Sequence, residues 1–219
     1  MTDQTNSARQ ALACLLVAAC LTGCTESQAD LDQYPRMLNE TADARAQESI
    51  ACNARGLLCA RLVAMRGEAC AQTANDNRLP AAQRQQRRDC AMADARRMPG
   101  LMPDDAPAAD QDRAALLVFD AWRAARDGGA PAATSTAMKA AADSLAGMPG
   151  GKPYAETLEA ENAVFGVLTG HGSKDADCAT LGAARRQLPA AAPGSALADR
   201  LGTLATNIAS AQTVRGCAR

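Results

Sequence analysis

Six cysteines, Cys52, Cys59, Cys70, Cys90, Cys178 and Cys217, restrict the fold of this chain more than any other set of residues. An even number at wide spacing reads as a framework of three disulfides, and six cysteines admit 15 pairings. The first three fall between about Ala42 and Thr73, where Ile50, Ala54, Leu57, Leu58, Leu62 and Met65 recur along one helical stripe. In a continuous helix of about 100° per residue, Cys59 lies about 20° from Cys52 and Cys70 returns to about the same angle, so all three share one edge. Their axial separations, ~10.5 and ~16.5 Å, exceed the ~7 Å between Cα atoms that a disulfide allows. A continuous helix therefore sends each of them to Cys90, Cys178 or Cys217. A turn near residues 76–80 places Cys70 opposite Cys90, and Cys52 and Cys59 then take Cys178 and Cys217 in either order. A helix break at Gly56 would instead permit a Cys52–Cys59 bond.

The rest of the chain reads as all-α, because no stretch alternates cleanly with period two. Residues 42–219 are expected to form one domain of about seven antiparallel helices, either a disulfide-stapled bundle or a short helical-hairpin solenoid. Asn75-Asp76-Asn77 ends the first helix, and Pro80 suits the first turn of a second that runs to about Met98. The Pro- and Gly-rich segment after it is a breaker and gives a candidate sub-boundary at 99–111. Further helices are expected from Asp112 to the Gly128-Gly129 stop, from Ser135 to Ala146, from Pro153 to Gly170 and from Asp175 to Leu188. A last one carries Leu197, Leu201, Leu204, Ile208 and Ala211 at helical spacing. Aromatics make up only 2% of the residues and alanine dominates the hydrophobic ones, so the core is thin and cross-links should contribute to it.

The N-terminal residues carry a different signal. The first ten are polar and include Arg9, and Ala11 to Leu21 form an apolar run too short to span a bilayer. The run closes on Leu21-Thr22-Gly23-Cys24. This motif resembles the lipobox of bacterial lipoproteins. The resemblance implies that residues 1–23 are a signal peptide and that Cys24 becomes the mature N-terminus, carrying diacylglycerol and a further acyl chain such as palmitate. The membrane is then a partner through that anchor. Thr25 stands where inner-membrane members of the family usually have Asp, which implies the periplasmic face of the outer membrane. The periplasm is oxidising, in keeping with structural disulfides. Residues 24–41, with Glu26, Asp30, Asp32 and Glu40 against Arg36, read as an acidic tether, whereas residues 45–98 are rich in arginine. A net charge of −1 gives no indication of nucleic-acid binding.

Motifs for chemistry are sparse. Gln47-Glu48-Ser49 resembles the Glu-Ser start of lytic transglycosylases, in which the glutamate is general acid and base; Glu48 would take that role. Gly56-Leu57-Leu58-Cys59 arrives too early for the family's later Gly-Leu-Met-Gln turn and lacks its Gln. Asn53–Leu62 resembles the first helix of a tetratricopeptide repeat, without a second copy. His171 is the only histidine and sits in a loop with Ser173, where Gly170 and Ser173 or Asp175 read as helix caps. With no Cys-x-x-Cys and no Cys/His cluster, a metal site is not expected. Glu156, Glu159 and Glu161 read as partners of a helix dipole. No catalytic or cofactor-binding residue and no cofactor is expected. The chain reads as a non-enzymatic, lipid-anchored module that binds a periplasmic protein, with Arg55, Arg61, Arg84 and Arg88 as candidates for a groove facing an acidic partner. The alternatives are an inhibitor or immunity lipoprotein directed against a periplasmic cell-wall-degrading enzyme, and a divergent transglycosylase acting through Glu48.

Overall fold

Helix follows helix with no strand among the described residues, which in this computed structural model are 27–52, 54–127, 135–170, 172–191 and 195–217. In chain order they are α1 (Gln28–Asn39), α2 (Ala42–Gln47), α3 (Leu57–Thr73), α4 (Ala81–Leu101), α5 (Ala108–Asp127), α6 (Ser135–Ala146), α7 (Lys152–Thr169), α8 (Lys174–Arg186) and α9 (Ala196–Arg215). The architecture is a helical bundle in which three cysteine pairs are joined.

The expected single rod from Ala42 to Thr73 is two helices separated by a linker, 48–56, whose described residues, 48–52 and 54–56, are irregular. Side chains from elsewhere bind the backbone of that linker. Arg66 donates to the Glu48 carbonyl at 3.1 Å, Arg97 donates to the Cys52 carbonyl, and the Gly56 amide donates to the Leu101 carbonyl at 3.1 Å. Arg55, inside the linker, donates to the Met102 carbonyl at 3.1 Å. Buried polar backbone must find partners, and here distant arginines supply what a helix would otherwise supply. Both Arg66 and Arg97 are held by Asp94 of α4, a side chain with 0% exposure; Arg66 grips both of its carboxylate oxygens.

That break overturns the expected long-range pairing of Cys52 and Cys59 with Cys178 and Cys217. With the chain turned between them, Cys52 and Cys59 lie 5.8 Å apart at their Cα atoms and bond to each other. Cys178 of α8 bonds Cys217, just beyond α9, at a Cα separation of 5.5 Å. Cys70 meets Cys90 across the α3–α4 hairpin at 6.0 Å, as the turn near residues 76–80 implied.

Two other expectations change. Gln28–Asn39, read as part of a tether, is a helix whose start is fixed by a capping box: the Ser27 hydroxyl accepts from the Asp30 amide and the Asp30 carboxylate accepts from the Ser27 amide. Met37 is fully buried and Tyr34 packs on the core, so α1 belongs to the folded body. Helix α4 also runs through Pro99 and Gly100 to Leu101, past the expected end at Met98. A proline this near a helix C-terminus removes only one intrahelical bond, and burial of Leu101 and Met102 holds the last turn in place.

The larger core draws on both sides of the 99–111 segment, with Leu62, Val63 and Met98 packed in one cluster with Phe119, Leu145 and Leu158. Helix α3 lies at its centre, buried on nearly every side. Small residues let the helices approach closely: Ala60, Ala64, Ala95, Ala114 and Ala115 are buried, and a Cβ placed on Gly67 would meet Leu117 at 2.8 Å and Asp94 at 3.1 Å. A second, smaller core of Ala160, Val164, Val167, Leu181, Leu204 and Ile208 joins α7, α8 and α9. Helix α7 runs through both cores, with Tyr154 and Leu158 in the first and Val164 and Val167 in the second.

Replacing Asp94 with Ala leaves Arg66 and Arg97 partly buried without their carboxylate and releases the linker. The expected loss is about 3–5 kcal/mol of folding stability, measured by urea denaturation; a loss below about 1 kcal/mol would show that the linker is held by other contacts. Peptide mapping without reductant should recover Cys52–Cys59, Cys70–Cys90 and Cys178–Cys217, and any peptide linking Cys52 or Cys59 to the C-terminal half would contradict the broken-helix architecture.

Candidate interaction surfaces

Glu48 caps the C-terminus of α2 and faces α1. Arg36 donates to its two carboxylate oxygens at 2.6 and 2.8 Å, and Gln33 donates to it at 3.0 Å. The Arg36 hydrogen bonds hold the Glu48 carboxyl below the usual glutamate range. A general acid needs the opposite shift, produced by burial away from cations. Glu48 here clamps α1 to the start of the linker.

The other sequence candidates are dispersed. Glu156 faces Lys152 one turn away, Glu161 pairs with Arg123 and Arg126, and Glu159 borders a surface cleft. The Ser173 hydroxyl accepts from the Ala176 amide and serves as the N-cap of α8. His171 and Cys24 lie outside the described residues. Arg55 pairs with Asp104, and Arg61 pairs with Asp110 and lies over the Tyr34 ring at 6.0 Å. Arg84 donates to the Leu79 carbonyl and Arg88 to the Gln85 side chain. Arg55 and Arg61 thus tie the start of α3 to residues 104–110, whereas Arg84 and Arg88 make contacts within their own stretch of chain.

The sequence gives no sign of a partly buried polar junction between α5, α7 and α9, in which the Tyr154 and Phe119 rings are buried and their polar partners are half-buried or exposed. The Tyr154 hydroxyl donates to Asp112 at 2.7 Å, and its ring lies 5.9 Å from that of Phe119. Arg200 lies over the Phe119 ring at 5.4 Å and donates to Asp120 at 2.7 Å. Burial raises the Tyr154 hydroxyl and the Asp120 carboxyl above their usual ranges, and for Asp120 Arg200 offsets part of that effect. Phe119 and Tyr154 stand out in the sequence as two of its few aromatics. Nothing local, however, signals that Arg200, eighty residues beyond Asp120, would complete the junction.

Concave surfaces among the described residues include the following two. A cleft of about 360 Å³ between α6 and α7 has Met138, Phe165 and Gly166 on its apolar side and Ser135, Lys139, Glu159 and Asn162 at its rim. Arg126 lies over the Phe165 ring at 5.1 Å and hydrogen-bonds to Asn162 and Glu161, so the ring is braced from one side yet 37% exposed. The second is a shallow groove of about 750 Å³ beside the Cys178–Cys217 bond, bordered by Lys174, Arg185, Arg186 and Asp175. Among the described residues no group of three His, Cys, Asp or Glu side chains could hold a metal, and no helix is long and apolar enough to cross a membrane. No protein-family model, curated protein or solved structure matches this chain.

Opposite pKa shifts make the electrostatics testable. The stabilisation from Glu48 is complete above the unfolded-state pKa and is lost as the pH falls through its lower folded value; the burial cost of Asp120 is relieved as the pH falls through its raised one. Carboxyl-detected NMR titration should place Glu48 below and Asp120 above their ordinary ranges, and Arg36→Ala should move Glu48 upward. A Glu48 that titrates high in the unaltered protein would favour the general-acid reading.

Proposed function

We propose that this protein is a lipid-anchored helical interaction module on the periplasmic face of the outer membrane. The observation that carries the reading is Leu21-Thr22-Gly23-Cys24 at the end of an eleven-residue apolar run, the arrangement that lipid transfer to Cys24 requires. Three closed cysteine pairs support an oxidising compartment. The Glu48 carboxylate, held ionised by Arg36, favours a structural role for that residue over acid catalysis.

The module acts by protein contact, and the α6–α7 cleft is the surface best suited to it. Protein interfaces concentrate their energy in rigid aromatic and arginine anchors ringed by polar residues. Phe165, braced by Arg126 and bordered by Lys139, Glu159 and Asn162, has that composition. Leu168, one turn further along α7 and 57% exposed, extends the apolar surface.

Cells grown with a clickable palmitate analogue should label the protein, and Cys24→Ser should abolish the label and move the protein from the membrane to the soluble fraction. An unlabelled wild-type protein would overturn the anchor. Phe165→Ser should lower the amount of a specifically captured periplasmic partner about tenfold or more, with the circular dichroism spectrum unchanged. Equal capture would move the interaction surface elsewhere.

A further inference from the structure

Helix α1 presents two chemically different sides. Asp30 and Met37 are buried, and Gln33 and Tyr34 are half-buried against the body of the protein. Leu31, Pro35 and Leu38 follow at intervals of four and three residues and share another side, which faces solvent. Leu31 is 49% and Leu38 55% exposed, two of the few large apolar side chains left uncovered among the described residues. A helix that only needed to pack on the core would place polar residues at those positions.

The position of α1 in the chain supplies an occupant for this side. Only two residues, Thr25 and Glu26, separate Cys24 from Ser27, the N-cap of α1, a span of three Cα–Cα steps. Fully extended, that span reaches at most roughly 11 Å. The capping box at Ser27 and the burial of Met37 make α1 a fixed part of the folded body. If Cys24 carries acyl chains, the N-cap of α1 is therefore held within that distance of the lipid headgroups, with α1 the first element to meet them.

We infer that the Leu31–Pro35–Leu38 side of α1 is a membrane seat that rests in the headgroup region of the leaflet holding the anchor. The inference rests on the lipidation of Cys24 proposed above. The seat is apolar in character. Arg36, the only basic residue of α1, is committed to Glu40 and Glu48, and Asp32 is exposed nearby, so nothing on this helix draws it to anionic lipid. Contact should therefore form on zwitterionic lipid and resist salt, unlike a polybasic attachment. An interfacial helix buries its apolar side ~5–10 Å into the headgroup and acyl boundary, a depth that leucine side chains on a surface-lying helix can reach.

The test uses the full-length, lipidated protein reconstituted into phosphatidylcholine vesicles with brominated acyl chains, which quench nearby tryptophan. Leu38→Trp and, separately, Leu31→Trp should each lose most of the added emission, while Lys139→Trp, at an exposed position of α6, should keep it; 0.5 M salt (roughly a 4 Å Debye length) should change neither result. Acyl labelling of the same preparations reads the anchor independently. If the label is absent, the anchor fails and the seat with it. If the label is present but the α1 tryptophans are no more quenched than that of Lys139→Trp, the seat is overturned and the anchor stands. The seat is equally overturned if the α1 tryptophans escape quenching and shift their emission with protein density in the vesicle, the result expected for a second copy of the chain on this side.

Discussion

The buried carboxylate of Asp94 organises the N-terminal half of this protein. Burying an ionised carboxylate without partners costs several kcal/mol, and Asp94 avoids that cost by engaging Arg66 and Arg97 together. Each arginine then reaches past Asp94 to a carbonyl of the 48–56 linker. One side chain on α4 thus fixes α3 through Arg66 and shapes the segment leading into α3. Gly67 makes this possible, because a side chain there would collide with Leu117 and crowd Asp94, pushing α3 away from its neighbours. The charge cluster and the close helix approach require each other.

The disulfides complement these contacts in proportion to the loops they close. In the chain-entropy account, the seven-residue span of Cys52–Cys59 contributes about 2 kcal/mol and the 39-residue span of Cys178–Cys217 about 4 kcal/mol. The longer bond serves the part of the molecule with the weaker core, where α8 and α9 meet through alanine, valine, leucine and isoleucine without an aromatic. The shorter bond serves a linker already bound by three arginines. In an alanine-rich chain each buried residue removes little area from water, so close approach, buried ion pairs and cross-links together provide what large side chains provide elsewhere.

What could be read from the sequence divides along the same line. Elements set by nearby residues were legible: Ser135–Ala146 has the bounds its flanking signals imply, and Cys70–Cys90 follows from one turn between two helices. The interrupted helix was not legible, because Ile50, Leu57, Leu58 and Leu62 keep a helical rhythm across the break. What interrupts the helix comes from Asp94 and Arg97, more than forty residues further along. The pairing of Cys52 and Cys59 changes with it, because only an unbroken rod keeps their Cα atoms too far apart to bond. Helix α1 was obscured by its acidic composition, although Ser27 and Asp30 spell a capping box and Tyr34 and Met37 share a side. At the candidate interaction surface, Phe165 was visible as a rare aromatic. The brace that Arg126 supplies from one side depended on tertiary contact.

Folding α1 into the body changes the relation between the N-terminal motif and the rest of the protein. A free acidic segment of some fifteen residues would let a domain sample a wide volume around its attachment point, since flexible reach grows as the square root of length. Met37 at the core and Arg36 on Glu48 remove nearly all of that freedom and leave two residues between Cys24 and the first helix cap. A lipid on Cys24 would therefore restrict the height of the domain above the bilayer and the side it turns to the bilayer. The α6–α7 cleft belongs to the same body through α7, whose N-terminal half lies in the core that also receives Met37. Any partner bound at Phe165 would then be presented within a restricted range of heights and orientations, so the contacts that dock α1 bear on recognition as well as on stability.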